Sequence, residues 1–139
     1  MATYQTREVL EEIAEILKAN PQNPTVTINR LVPLAEASGD VLVDISLESV
    51  ILNLTDNATG REGYLRTFLI HIHVGVESSE DLLRLFDVVD SLENSILADS
   101  DLWKLVTDRD IATLTYDHAK TLPYRGATIL MEARVKLSC

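Results

Sequence analysis

Apolar residues in the first stretch of the chain recur at the helical spacing of three and four. Val9, Leu10, Ile13, Ile16 and Leu17 fall on one stripe, with Glu11, Glu12 and Glu15 mostly off it. That pattern predicts an amphipathic helix over residues 4–19. Asn20-Pro21 ends it, because the residue before a proline avoids the helical region. Thr25 to Leu31 is short and rich in β-formers and reads as a strand. Pro33 and Gly39-Asp40 mark a loop. From Val41 the period changes to two. Val41, Val43, Ile45 and Leu47 share one face; Leu42, Asp44, Ser46 and Glu48 share the other. After Glu48-Ser49 the phase slips by one, and Val50, Leu52 and Leu54 carry the apolar side, the signature of a β-bulge or a bend.

Asp56-Asn57-Ala58-Thr59-Gly60 has turn chemistry. The alternation resumes from Tyr64 to Val76, with Phe68, Ile70, Ile72, Val74 and Val76 on one face and Leu69, His71, His73 and Gly75 on the other. Residues 41–76 therefore read as one long hairpin whose far end projects beyond the core. Ser78-Ser79 ahead of Glu80 and Asp81 starts a second helix. Its stripe of Leu82, Leu85, Phe86, Val89, Leu92 and Ile96 runs to about Leu97. Ser100-Asp101 predicts a short helix through Leu102, Trp103, Leu105 and Val106. Ile111 to Tyr116 reads as a strand, Leu122 to Gly126 as a turn. The closing strand points Ile129, Met131, Ala133, Val135 and Leu137 inward and Thr128, Leu130, Glu132, Arg134 and Lys136 outward. The elements predict one α+β domain over residues 1–139: two layers, with helices on one face of an antiparallel or mixed sheet and a projecting β-hairpin.

The length and a 46% hydrophobic content support one core without staples. The single cysteine, Cys139, excludes a disulfide scaffold and fits a reducing compartment. No apolar run spans a membrane, and the first ten residues lack the pattern of a signal peptide. Asn53-Leu54-Thr55 and Asn57-Ala58-Thr59 then match the glycosylation acceptor pattern by chance. Twenty-two acidic against twelve basic residues give a formal charge of −10. Such a surface repels nucleic-acid phosphates and argues against DNA or RNA recognition, while allowing a wall that DNA passes without sticking.

Candidate chemistry is sparse. His71 and His73 point the same way on one strand, and two imidazoles can begin a zinc site, which normally needs three or four ligands. His118 is the third histidine, and no cysteine or acid stands at a ligand spacing from the pair. Histidines of a sheet face or interface are the plainer reading. Asp99/Asp101 and Asp108/Asp110 fall at expected helix ends and loops, where aspartate caps and solvates. Nucleophile elbows and glycine-rich phosphate loops are absent from the sequence. Trp103 reads as a docking residue of its helix. These observations predict no catalytic residues, no metal and no cofactor. The feature that points outward is the hairpin, apolar on both faces over residues 48–66 (Val50, Ile51, Leu52, Leu54, Tyr64, Leu65). Either a neighbouring copy covers it or it folds back over its own core.

The order of elements, with "YLRTFLIHIHVGV", "SSEDLLRLFDVVDSLENSIL", "SDLWKLV", "DIATLTYD" and "GATILMEARVKL" in succession, resembles the tail-terminator (minor tail) proteins of long-tailed bacteriophages and prophages. The resemblance is one of pattern over nearly the whole chain, strongest over residues 64–106 and 111–137. It implies a non-enzymatic virion protein that forms a six-membered ring on the tail tube, stops tube polymerisation and offers a surface to head-completion proteins. Partners would be further copies of the chain, the tube protein and the head-completion protein, with DNA as cargo in the lumen. The implied location is the tail of the virion, and the host cytoplasm during assembly. Within that frame Val50, Leu52, Tyr64 and Leu65 are the candidate subunit contacts. Asp56, Arg61 and Glu62, in the loop from Thr55 to Gly63, are the candidates for the tube or head. A head–tail connector or tail-completion protein is the neighbouring alternative, and a small α+β ligand-binding domain or enzyme the more distant one.

Overall fold

The computed structural model describes residues 5–29, 41–56, 62–77, 82–98, 101–116 and 124–138. In chain order the elements are α1 (Gln5–Lys18), β1 (Thr25–Ile28), β2 (Val41–Asp56), β3 (Glu62–Glu77), α2 (Leu82–Leu97), β4 (Asp108–Tyr116) and β5 (Tyr124–Ser138). The five strands form one sheet in the order β1-β2-β3-β5-β4. It is mixed, because β1 runs parallel to β2 while the other pairings are antiparallel. Both helices pack on the same face, and α+β is the resulting class.

The core is the apolar phase of each strand. Val43 and Ile45 of β2, Phe68, Ile70, Ile72 and Val74 of β3, and Ile129, Met131 and Ala133 of β5 are all essentially inaccessible. Against them lie Val9, Ile13 and Leu17 of α1 and Leu85, Val89, Leu92 and Ile96 of α2. Alternation at period two meets a helical stripe at three and four; on α2 the expected stripe is corrected in one place, since Phe86 is 39% exposed and Val88 is buried instead. Asn20 ties the helices together. Its amide group donates to Ser91 O and Oγ, both at 3.1 Å, and to Ser95 Oγ at 2.7 Å, and its Oδ1 accepts the Gln22 N–H at 2.8 Å.

The phase slip is a bulge: pairing jumps from Leu47↔Ile70 to Ser49↔Leu69. One extra residue at Glu48 keeps Val50 on the core side of the sheet, opposite Phe68. β4 carries a similar shift between Ile111 and Thr113. The hairpin is not a two-stranded arm, because β5 follows β3 to its beginning, with Ser138 paired to Gly63.

Several expectations are corrected. Tyr124 to Gly126 belong to β5 rather than to a turn, and Thr55, Asp56, Glu62 and Gly63 are paired strand positions rather than loop, because the hairpin ladder runs on to the Asp56–Glu62 pair. The described β1 strand is Thr25–Ile28, and Asn29 takes φ 51° rather than an extended conformation; Arg30 and Leu31 of the expected strand lie outside the described residues. Residues 101–107 form turns and bends, not a helix. Their amides go elsewhere: the Glu12 carboxylate accepts the N–H groups of Lys104, Leu105 and Val106, and Trp103 lies against the Arg109 guanidinium, 4.6 Å from the ring centroid. Asp108 and Asp110 lie on β4 rather than in a loop, and both bind Arg134.

Replacing Asn20 by alanine strands the polar groups it joins. N20A is expected to lower unfolding stability by about 1–3 kcal/mol with the secondary structure retained, as read by urea denaturation and circular dichroism.

Candidate functional site

A strand rises about 3.3 Å per residue and a helix about 1.5 Å. Strands of 15 and 16 residues therefore run roughly 50 Å, whereas helices of 14 and 16 residues reach roughly 21–24 Å. The helices cannot cover the sheet from end to end. Among the described residues no helix reaches the far part of β2, β3 and β5, a three-stranded ribbon.

On this ribbon two described side chains of β2 are exposed, one on each face. Ile51 is 44% exposed on the open side and Leu52 59% exposed on the helix side. Val50, by contrast, is partly buried against the chain's own core. The backbones of Tyr64 and Leu65 pair with Leu54 and Asn53 in the ribbon, while their side chains lie outside the described residues. Asp56 and Glu62 pair with each other at the described end of the hairpin. Arg61 falls outside the described residues, as do His118, Asp99, Asn57 and the 57–60 turn.

The edge of β2 has two parts. Leu42 to Ile45 are covered by β1; residues 47–56 have no strand on that side among the described residues. Beside the point where β1 ends lies an open groove of about 720 Å³ lined by Gln5, Leu10, Ile28, Asn29 and Arg66, among others. Arg66 is fixed there by donating to Gln5 Oε1 at 2.7 Å and by lying 5.1 Å over the Phe68 ring.

The sheet face away from the helices carries a polar belt. Thr27 Oγ1 donates to Asp44 Oδ1 at 2.7 Å. Ser46 Oγ and Thr128 Oγ1 each lie 3.2 Å from a ring nitrogen of His73. His71 Nε2 is 3.2 Å from Glu48 Oε2, and the two imidazoles meet edge to face at 5.6 Å. At the β4 side Arg134 is held by Asp108, Asp110 and Glu132 at 2.9–3.0 Å, which fixes its positive charge still more firmly. Five carboxylates thus surround one arginine and two imidazoles. Both ring nitrogens of His73 face hydroxyl groups, and among the described residues no group of three or more His, Cys, Asp or Glu is arranged to hold a metal ion. Sequence reading missed the belt because its members come from five strands, and only the register brings them together.

No protein-family model matches the chain, and no curated protein matches it. Among solved structures the fold is similar to that of a chain in the virion of a native gene transfer agent particle. The TM-score is 0.61 at 14% identity, over 96% of this chain and 99% of that one. At that identity the likeness is one of fold.

Burial pushes the pKa of His73 below its ordinary value and the His71 ring adds to this, with Asp44 opposing. The folded chain therefore takes up a proton at this position less readily than the unfolded chain, whose histidine titrates near about 6.5. The resulting stabilisation is present above that pH and is lost as pH falls through it towards the lower folded value. H73N should lose less stability than the parent between pH 7.5 and 5.5, as measured by urea midpoints.

Proposed function

We propose that this chain is a structural virion protein that assembles into a ring on the end of a tail tube, ends tube growth there and presents a surface to head-completion proteins. The observation that carries this reading is the likeness of fold, over nearly the full length of both chains, to a component of a virion particle. The ribbon beyond the helices supports it. Exposed Ile51 and Leu52 on opposite faces of one strand are suited to contact with another molecule, and a repeated head-to-tail contact that closes makes a ring. The resemblance of element order to tail terminators supplies the finer role.

In this reading the ribbon residues Val50, Leu52, Tyr64 and Leu65 meet the adjacent copy, with Leu52 the most exposed of those described. The tip, with Asp56, Arg61 and Glu62, meets the tube or the head. The open sheet face, rich in carboxylates (Asp44, Glu48, Asp108, Asp110, Glu132), lines the lumen. Negative charge there keeps DNA phosphates from adhering as the genome moves through. The chain acts by shape and charge; no reaction or cofactor enters the proposal.

Light scattering on a size-exclusion column, with and without purified tail tubes, tests the reading. A six-copy mass, alone or only in the presence of tubes, is the expected result; a monomer indifferent to tubes overturns it. L52E should leave the fold intact and weaken self-association at least tenfold. Shortening residues 55–63 to a two-residue turn should leave a folded protein that no longer caps tubes, scored by tube length in electron micrographs.

A further inference from the structure

The sheet has two edges, and they match. On one side β2 leaves residues 47–56 without a neighbouring strand among the described residues. On the other side β4, nine residues long, ends the strand order and pairs with β5 alone among the described residues. We infer that the open edge of β2 is filled by β4 of a second copy, antiparallel, so that the sheets of successive copies join into one continuous sheet. The inference rests on the ring reading and names the elements that would close the ring.

Direction comes first. β2 and β5 run one way and β3 and β4 the other. A rotation about an axis roughly along the strands keeps those senses, so β4 of one copy meets β2 of the next antiparallel. Strand sense therefore permits a cyclic arrangement, with every copy using the same two edges.

Height comes next. The centre of β4 sits where Ile111 faces Met131 and Thr113 faces Leu130. Across β3 these positions are level with Ile70 and His71, and across β2 with Leu47 and Ser46. The middle of the open edge, between Ile51 and Leu52, is level with Thr67 and Arg66 of β3, four ladder steps further along because Glu48 is bulged out, or roughly 13 Å at the strand rise. The step from β2 of one copy to β2 of the next crosses four strand spacings, β2 to β3 to β5 to β4 to β2, or roughly 19 Å. For equivalent residues to lie at one height around a ring, the strands must lean by the angle whose tangent is 13/19, about 35°. That meets the shallow end of the 35–45° at which closed sheets tilt.

Size follows. The two displacements combine to roughly 23 Å between equivalent residues of neighbouring copies. Six such chords enclose a circle about 46 Å across at the backbone. The helices need room and stand on the outer side, which turns the polar belt of the open face inward. β1 is compatible with this arrangement because, as described, it pairs only with Leu42 to Ile45, below the stretch that β4 would occupy.

Cross-linking tests the pairing. Ser49 and Ile51 on one edge and Thr113 and Thr115 on the other all lie in the open-face phase of their strands. In a C139S background, chains carrying S49C or I51C are mixed with differently tagged chains carrying T113C or T115C. Each mixture is assembled on tail tubes and oxidised, and the mass of the assembly is measured in parallel. Single chains carrying both cysteines are then run on a denaturing gel. The expected result is hetero-tagged dimers from the mixtures and a ladder up to the ring number from the double variants. A ring-sized mass with no cross-link from any of the four pairings overturns the edge pairing and leaves the ring standing. Absence of a ring mass under every condition overturns both.

Discussion

The governing constraint is a mismatch of length. Three adjacent strands of fifteen or sixteen residues are hydrogen-bonded along nearly their whole extent, yet the helices that supply the second layer reach less than half as far. Hydrophobic burial ends where the helices end, and the backbone ladder continues alone. Ladder hydrogen bonds contribute little net stability each, so a ribbon without a second layer gains little from folding by itself. It persists because it continues three well-buried strands, and because β5 makes it three strands wide.

The covered end is fixed by polar contacts placed where the layers meet. Asn20 joins the end of α1 to the side of α2. Glu12 holds the turn after α2 by three consecutive amides. Arg109 reaches back from β4 to donate to the carbonyls of Ile96 and Ala98 at the end of α2, at 2.7 and 2.9 Å. Those carbonyls lack partners within the helix, and a cation suits the negative end of the helix dipole. The second layer is thereby tied to the sheet at both of its helices.

Much of the fold was legible because periodicity reports burial directly. The two long helices, the alternation of β2, β3 and β5 and the slip at Glu48 all follow from which positions are apolar. The turn at residues 101–107 was misread because Ser100-Asp101 resembles a helix start, while the carboxylate that takes the amides of that turn belongs to Glu12, about ninety residues earlier. The turn of the backbone at Asn29 was hidden because a positive φ has no counterpart in hydrophobic pattern. On the open face, pairs such as Ser46 and His73, or Asp108 and Arg134, belong to different strands, and only register makes them neighbours. The exposure of Leu52 was foreseeable from apolar residues on both faces of the hairpin; the partial burial of Val50 required knowing where the bulge returns the chain to the core side.

The strand order has a consequence for how the molecule acquires its shape. β5 follows β4 in sequence yet lies between β3 and β4 in the sheet. On a growing chain β4 emerges before β5, its neighbour among the described strands. β4 and β5 are consecutive and antiparallel and can close locally, whereas β5 must also reach β3 across α2 and β4, a non-local pairing that forms more slowly than a hairpin. The β2 edge is therefore complete with its own hairpin partner, while the β4 edge joins the sheet only when β5 docks on β3.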